Sequence, residues 1–417
     1  MTSRPEARRP VGLWVAFGAV HAWLAFLGVV VAPASSFHDV DLYRYWMFVG
    51  LYTDQWPVLD TAWVYPAGAM VPMLLPALTG ATTTVGYAIG WCLMVTLLDA
   101  GATVALLRHR AGTDGTPRTT GAWWWLGFLL LLGPVAMGRL DGIVAPLMVL
   151  ALVAGLRHPR AAALLLAAGA WIKIAPGALL LPLAVAVRRP VRDVVVPALA
   201  VSGVVVAVVT VLGGGRNWLS FLSTQQGRGV QVESVTATPW VIASLWRDDV
   251  SVGLNDALVT WEVSGPGTVA ATQVLDVVLV LAVGAVAALL WRARQEGRAV
   301  AALLPGALAL LSVLIVANKV GSPQLLAWLA APVAVLLTVT SDVGRSWLRP
   351  AAGLLLATAA LTQVVFPWGY TRLLSGDALV TTLLVARNVA LVAVLTLAVV
   401  GLVRTSRPAS VPADEPG

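Results

Sequence analysis

The groups in this chain best suited to chemistry are few, and they sit in short connections between apolar runs. Asp39 belongs to His38-Asp39-Val40-Asp41-Leu42-Tyr43-Arg44, just after the first run. In a helix, Asp39 and Tyr43 share one face at i, i+4, with Asp41 and Arg44 on neighbouring faces. A carboxylate at the mouth of a membrane cavity can act as a general base, because partial desolvation raises its pKa towards the working range. An Asp–Arg pair that merely anchors an interfacial loop is the competing reading. Gly138-Arg139-Leu140-Asp141-Gly142 sets an Arg and an Asp in a tight turn. Such a turn could present a guanidinium to a phosphate or simply close a helix hairpin. Only two of the 27 basic residues are lysines: Lys173, in Trp171-Ile172-Lys173-Ile174-Ala175-Pro176, and Lys319, in Asn318-Lys319-Val320-Gly321-Ser322-Pro323-Gln324. A compact ammonium at such a junction suits a lipid phosphate, or snorkels to headgroups. Arg228, framed by Gly227 and Gly229 with Glu233 further on, could close over a ligand or pack its loop.

The elements that must position these groups are membrane-length. The chain is 59% hydrophobic and only 11% charged over 417 residues, a composition of transmembrane helices and not of a soluble domain. Spans are expected near 11–32, 84–107, 121–137, 140–156, 192–213, 268–291, 299–317, 323–340, 349–366 and 379–403. Residues 65–79 are short and Pro-studded, which predicts a partly inserted helix. Residues 161–187, interrupted by Lys173 and Pro176, predict two short helices meeting at a break, as elements lining a cavity do. The first apolar run is too long for a signal peptide and reads as an uncleaved helix.

Arginine orients the spans. The N-terminus, 108–118, 157–160, 188–192, 292–298, 341–349 and the C-terminal tail hold 18 of the 27 basic residues. With 161–187 taken as a hairpin, about twelve crossings place all of these loops and both termini in the cytoplasm. The connections carrying Asp39, Arg139, Lys173, Arg228 and Lys319 then face outward together. This predicts an all-α integral membrane protein in four parts: 1–213 with its first outer loop 33–64, a large outer loop 214–267, a second transmembrane module 268–404, and a disordered cytoplasmic tail 405–417. The Trp- and Tyr-rich loop 33–64 suits amphipathic helices lying in the interface. The net charge of +7 belongs to cytoplasmic loops and not to a nucleic-acid surface. One cysteine, Cys92, rules out disulfides, and four unclustered histidines predict no catalytic metal. No phosphate-cradling glycine loop is present, so no nucleotide cofactor is expected. Asp99 and Asp276, inside spans, read first as structural pairs and second as proton carriers.

In order along the chain, these motifs resemble glycosyltransferase family 87. Asp39-Val40-Asp41-Leu42-Tyr43, Trp56-Pro57-Val58-Leu59-Asp60 and Val64-Tyr65-Pro66-Ala67 are similar to that family's first outer loop. The turn at 138–142 resembles its Gly-Gln-Xaa-Asn, Lys173 to Pro176 its Lys-Xaa-Xaa-Pro, Gln226 to Ser234 its Arg-Gly-Leu-Gln-Xaa-Glu-Ser, and Asn318 to Trp328 its Lys-Xaa-Xaa-Ser-Pro-Gln. Ala67, Arg139 and Asp141 depart from the pattern, which bears on the donor or acceptor more than on the fold. The resemblance implies a GT-C-like inverting transferase without cofactor, active outside the cell. It implies a polyprenyl-phosphate-linked sugar donor, with mannose the expected sugar, and a lipid or glycan acceptor of the cell envelope. It makes Asp39, not Asp41, the base, and Arg139, Lys173, Arg228 and Lys319 are the candidates for stabilising the departing phosphate. Asp41, Tyr43, Arg44, Tyr65, Asp141, Glu233, Asn318 and Gln324 complete the substrate site. A transporter or lipid flippase is the alternative, though it predicts inverted repeats, which the two halves do not display, and charges near the midplane. A non-catalytic scaffold leaves the two isolated lysines unexplained.

Overall fold

The computed structural model describes residues 10–108, 119–223, 228–256, 258–339 and 346–406. The arginines before Pro10, most of the 108–118 loop, Gln225 and Gln226, residues 340–345 and the tail beyond Ser406 lie outside them.

Among the described residues, seven helices are long and apolar enough to cross a membrane. They are α1 (Val11–Val31), α4 (Thr84–Arg108), α9 (Val191–Val211), α10 (Thr268–Gln295), α11 (Ala299–Val316), α13 (Leu348–Trp368) and α14 (Ala378–Thr405). Shorter apolar helices lie between them: α3 (Met70–Gly80), α5 (Thr120–Ala136), α6 (Asp141–Gly155), α7 (Pro159–Ile172), α8 (Ala175–Ala186) and α12 (Pro323–Val339). Helix α2 (His38–Thr53) follows the first crossing. The bounds follow the apolar runs to within a few residues, because about 20 apolar residues close their own hydrogen bonds across the hydrocarbon. The helix pair predicted over 161–187 is present. Helix α7 ends at Ile172, Lys173 is extended (φ −154°, ψ 134°), and α8 restarts with Pro176 in its first turn. Proline costs nothing there, since its missing N–H would be unpaired anyway. The loop 33–64 holds one helical turn (Pro33–Ser36), then α2, then an irregular stretch.

Helices α11 and α12 form the centre of the bundle. Nearly every residue of α12 is buried against α5, α6 and α11. The backbones come close because the crossing is built from small residues: a Cβ on Gly121 would lie 2.3 Å from the Ala334 carbonyl oxygen. Helices α9 and α10 lie at the rim, with leucines and valines turned outward. Asp99 is buried against His21, with 3.1 Å between Oδ2 and Nε2, which is the structural pairing.

The large loop contains a small sheet that hydrophobic patterning did not reveal. Strands β1 (Val230–Gln231), β2 (Ser251–Asn255) and β3 (Thr260–Ser264) are antiparallel in the order β1-β3-β2. A second buried cluster, including Val230, Val232, Val241, Val263, Leu373 and Leu384, seats this sheet on α14 and on the connection before it.

Candidate functional site

Each predicted group acquires its position from an element edge. Asp39 stands in the first turn of α2, where the exposed N–H groups of a helix favour a carboxylate. Arg139 reaches it across about a hundred residues of sequence, its Nε 3.1 Å from Asp39 Oδ2. The same guanidinium donates to Ser36 O (2.6 Å), Gly138 O (2.9 Å) and Ser35 O (3.4 Å), and lies 5.9 Å from the Phe366 ring centre. Arg139 is thus buried and committed to holding the entry to α2. Asp39 is about a quarter exposed, and its Oδ1 has no hydrogen bond or ion pair among the described residues. One carboxylate oxygen is pinned and the other is open.

Asp141 begins α6 and is fully buried. Its two oxygens divide their partners: Oδ2 accepts from Lys173 Nζ at 2.5 Å, and Oδ1 from Trp328 Nε1 at 2.6 Å. The lysine also lies 5.8 Å from the centre of the Trp328 ring. The break between α7 and α8 is what allows this, since an extended Lys173 leaves the helix and turns to the α6 terminus. The Tyr65-Pro66-Ala67-Gly68 turn lies directly against that break. A Cβ on Gly68 would come within 2.8 Å of the Trp171 carbonyl oxygen, and Ala67 is buried.

Between the two acidic groups lies an aromatic cluster. Tyr43 is buried against Trp46, Tyr65 and Trp91, with ring centres 5.2 to 6.1 Å apart, and Trp63 packs edge-on to both Trp46 and Tyr65. The Tyr43 and Tyr65 hydroxyls are hydrogen-bonded to each other. Burial pushes both phenols well above the usual tyrosine range. For Tyr65 the charges of Asp39 and Asp141 push the same way, and Arg139 opposes them. Tyr65 therefore stands within electrostatic reach of both carboxylates.

Arg228 approaches from the large loop. Burial lowers its pKa, while the Tyr65 phenol and the Glu262 carboxylate act to raise it. Its backbone is fixed by β3: Gly229 N donates to Glu262 Oε1 at 3.1 Å, and the next residues pair Val230 with Val263 and Gln231 with Glu262.

The remaining predicted residues play more local parts. Asp41 accepts from Arg44 Nε (2.7 Å) and Thr84 Oγ1 (2.8 Å), and Arg44 donates to Ala81 O (3.2 Å), so this pair ties α2 to the start of α4. The Arg44 hydrogen bond holds the Asp41 carboxyl below the usual carboxylate range, against the effect of burial. Asn318 closes the end of α11 by donating to Leu314 O, and accepts from Val320 N. Lys319 Nζ stands 3.5 Å from Asp276 Oδ1 of α10, which gives Asp276 a partner outside its own helix. Gln324 is half-buried, and its side chain forms no hydrogen bond among the described residues. Glu233 is buried with Oε2 unpartnered; burial raises its carboxyl, against a hydrogen bond from Tyr370.

Arg387 and Asn388, in the middle of α14, escaped the sequence reading. Arg387 donates to Glu233 O (2.8 Å), Gly321 O (3.2 Å), Thr362 Oγ1 (3.3 Å) and Asn388 Oδ1 (2.8 Å). Asn388 donates to Ser234 O and Thr238 Oγ1. Gln231 completes the junction, its N–H donating to Lys319 O while its Oε1 accepts from Gly321 N and Ser322 Oγ. The contact admits only glycine at 321, because a Cβ there would lie 2.3 Å from the Ser234 backbone. These residues lock the Gln231–Ser234 segment onto the 318–322 turn. An intramembrane Arg-Asn pair was the available signal, since such residues at membrane depth are expensive unless paired.

The family model described as glycosyltransferase family 87 matches residues 63–317. The match covers the Tyr65 turn, Arg139, Asp141, Lys173, Arg228 and Glu233, while Asp39 and the turn that begins at Asn318 lie outside it. Comparison with curated proteins gives no match.

Proposed function

This chain belongs to glycosyltransferase family 87 and is a multi-helix membrane glycosyltransferase, and from that premise we propose that it moves mannose from a polyprenyl-phosphate donor to a lipid or glycan acceptor at the outer face of the membrane. The observation that carries this reading is the convergence around Tyr65. A partly open Asp39 carboxylate, the Asp141–Lys173 pair and Arg228 are all brought there by separate elements.

The proposed reaction needs one base and one anion site. Asp39 Oδ1 accepts the proton of the acceptor hydroxyl as its oxygen attacks the anomeric carbon. The bond from that carbon to the phosphate oxygen breaks, and the configuration inverts. The polyprenyl phosphate departs as a stable anion, so no acid is required to protonate it. Arg139 holds Asp39 in place, and positive groups facing the departing phosphate stabilise the charge that develops on it. Arg139 is committed to Asp39, so Lys173, Arg228 and Lys319 are the candidate cations, and Asp41, Arg44, Glu233, Asn318 and Gln324 shape the surrounding loops. Trp46 and Tyr65, both half-buried, supply flat faces on which a sugar ring can stack.

Sidedness follows from charge. The arginine-rich connections belong in the cytoplasm, with both termini, and the site groups lie outside. In this arrangement 1–213 carries the base, 214–267 covers the site, and 268–404 braces the cover. A lipid-linked donor fits an outer site, since nucleotide sugars are confined to the cytoplasm. The test is transfer in proteoliposomes holding acceptor lipids. Label from polyprenyl-phosphate-mannose should move to lipid or glycan, whereas label from a nucleotide-linked mannose should not. Transfer from the nucleotide sugar instead would refute the reading.

A further inference from the structure

The outer site contains more cations than a single phosphate needs, and the structure pairs nearly all of them internally. Arg139 faces Asp39, Lys173 faces Asp141, Lys319 faces Asp276, and Arg44 faces Asp41, each within 3.5 Å. Each of these charges is matched by a carboxylate of the protein itself. Arg228 differs from all four. Among the described residues it makes no ion pair and no hydrogen bond through its side chain, and its Nε is buried without a partner. The neighbouring Thr224-Gln225-Gln226-Gly227 stretch contains no acidic residue that could supply one.

Arg228 is half-buried, and a guanidinium whose Nε is buried without an acceptor is costly, because the desolvation of that N–H is not offset. Chance looseness does not account for it. The backbone on its C-terminal side is held by the Gly229–Glu262 hydrogen bond and by β1. A Cβ on Gly229 would lie 2.5 Å from Glu262 Oε2, so the chain here is pressed against β3. Glu262 itself is held by Gly229, Asn255 and Thr260, and its charge acts on Arg228 without forming an ion pair with it. The result is a fixed backbone carrying an uncommitted planar donor within electrostatic reach of the Tyr65 phenol. A guanidinium with open N–H groups is matched in geometry to two oxygens of a phosphate.

We propose that Arg228 is the residue that grips the phosphate of the lipid-linked substrate, and that the other outer cations serve to neutralise and position the protein's own carboxylates. The assignment rests on the polyprenyl-phosphate reading above. It predicts that the affinity of the site for a lipid phosphate is concentrated in one side chain from the large loop, which the first transmembrane module does not supply.

The experiment measures equilibrium binding to the full-length protein in nanodiscs of phosphatidylcholine. The two probes are radiolabelled polyprenyl phosphate and the polyprenol of the same chain length. The wild type should bind the phosphate at least about tenfold more tightly than the alcohol, the factor set by one charge-assisted hydrogen bond. Arg228→Gln should lose that preference with its polyprenol affinity unchanged, and Arg228→Lys should retain part of it. Arg247→Gln removes one positive charge from the same loop, at a residue that is exposed and paired with Asp249, and should stay within about twofold of wild type. A wild-type preference that survives in Arg228→Gln would overturn the assignment and leave the lipid-phosphate reading intact. No preference in the wild type would overturn that reading itself. In nanodiscs containing phosphatidylglycerol, the probe should still bind. Its displacement by phosphatidylglycerol at equal concentration would make Arg228 a general headgroup contact and overturn its assignment to the donor. Melting temperature is measured for each variant, and if Arg228→Gln unfolds, the partial loss in Arg228→Lys decides.

Discussion

Replacing Arg139 by Gln separates two roles that this residue could play. Its guanidinium satisfies the carbonyls of Ser36 and Gly138 at 2.6 and 2.9 Å and holds Asp39 at 3.1 Å. Glutamine is shorter and can replace at most one or two of these bonds. A buried carbonyl left without a donor costs about 1–3 kcal/mol. The Asp39 pair adds little more than about 1 kcal/mol, since that carboxylate is partly exposed and screened. A loss of about 3 kcal/mol in stability is therefore expected, which the folded protein should survive. The kinetic effect should be larger. Without its tether Asp39 drifts from the acceptor, and a displacement of about 1 Å lowers turnover on the order of a hundredfold. Initial rates measured at several donor concentrations, together with melting curves, read both effects. Positioning predicts a fall in kcat with KM for the donor nearly unchanged. A raised KM at wild-type kcat would refute the reasoning, because it would place Arg139 on the donor and not behind the base.

Two further predictions follow from buried charges. Asp141→Ala orphans both Lys173 and Trp328 Nε1, and a broken buried pair costs about 3–5 kcal/mol. Asp141→Asn keeps an accepting oxygen for one of them and should lose less than half as much in thermal stability in detergent. Glu233, whose carboxyl is raised by burial, binds its proton more tightly folded than unfolded. Its contribution is complete below the usual glutamate value of 4.5 and is lost as pH rises towards the raised folded value. Glu233→Gln should therefore flatten the decline in melting temperature from pH 5 to pH 8, and an unchanged pH slope would contradict this.

The bundle was largely legible because membrane-length helices announce themselves through uninterrupted apolarity. The kink at Lys173 was equally visible, since an ionisable residue three positions before a proline cannot continue a buried helix. Pairing was not visible. Nothing local connects Arg139 to Asp39 or Lys173 to Asp141, and both arise only when helices from distant parts of the chain meet. Choosing Arg139, Lys173, Arg228 and Lys319 as candidate donor-phosphate cations from sequence takes no account of these pairings. Arg387 was hidden by its setting, a charge in a helix of 28 residues whose other charge, Arg404, lies in the last turn and reads as the end of a plain span. The sheet of the large loop was hidden by its brevity, since strands of two to five residues leave no alternation to count.

In the proposed mechanism an outward Asp39 deprotonates the acceptor for transfer from a polyprenyl-phosphate sugar. Its most direct test is turnover of polyprenyl-phosphate-mannose by wild type and Asp39→Asn in proteoliposomes, with donor binding measured on the same preparations. Asparagine preserves the size of the side chain but cannot take the proton. Transfer by the wild type is expected, with a loss of at least about a hundredfold in the variant and nearly equal donor binding by both. Transfer by Asp39→Asn at the wild-type rate would contradict the mechanism.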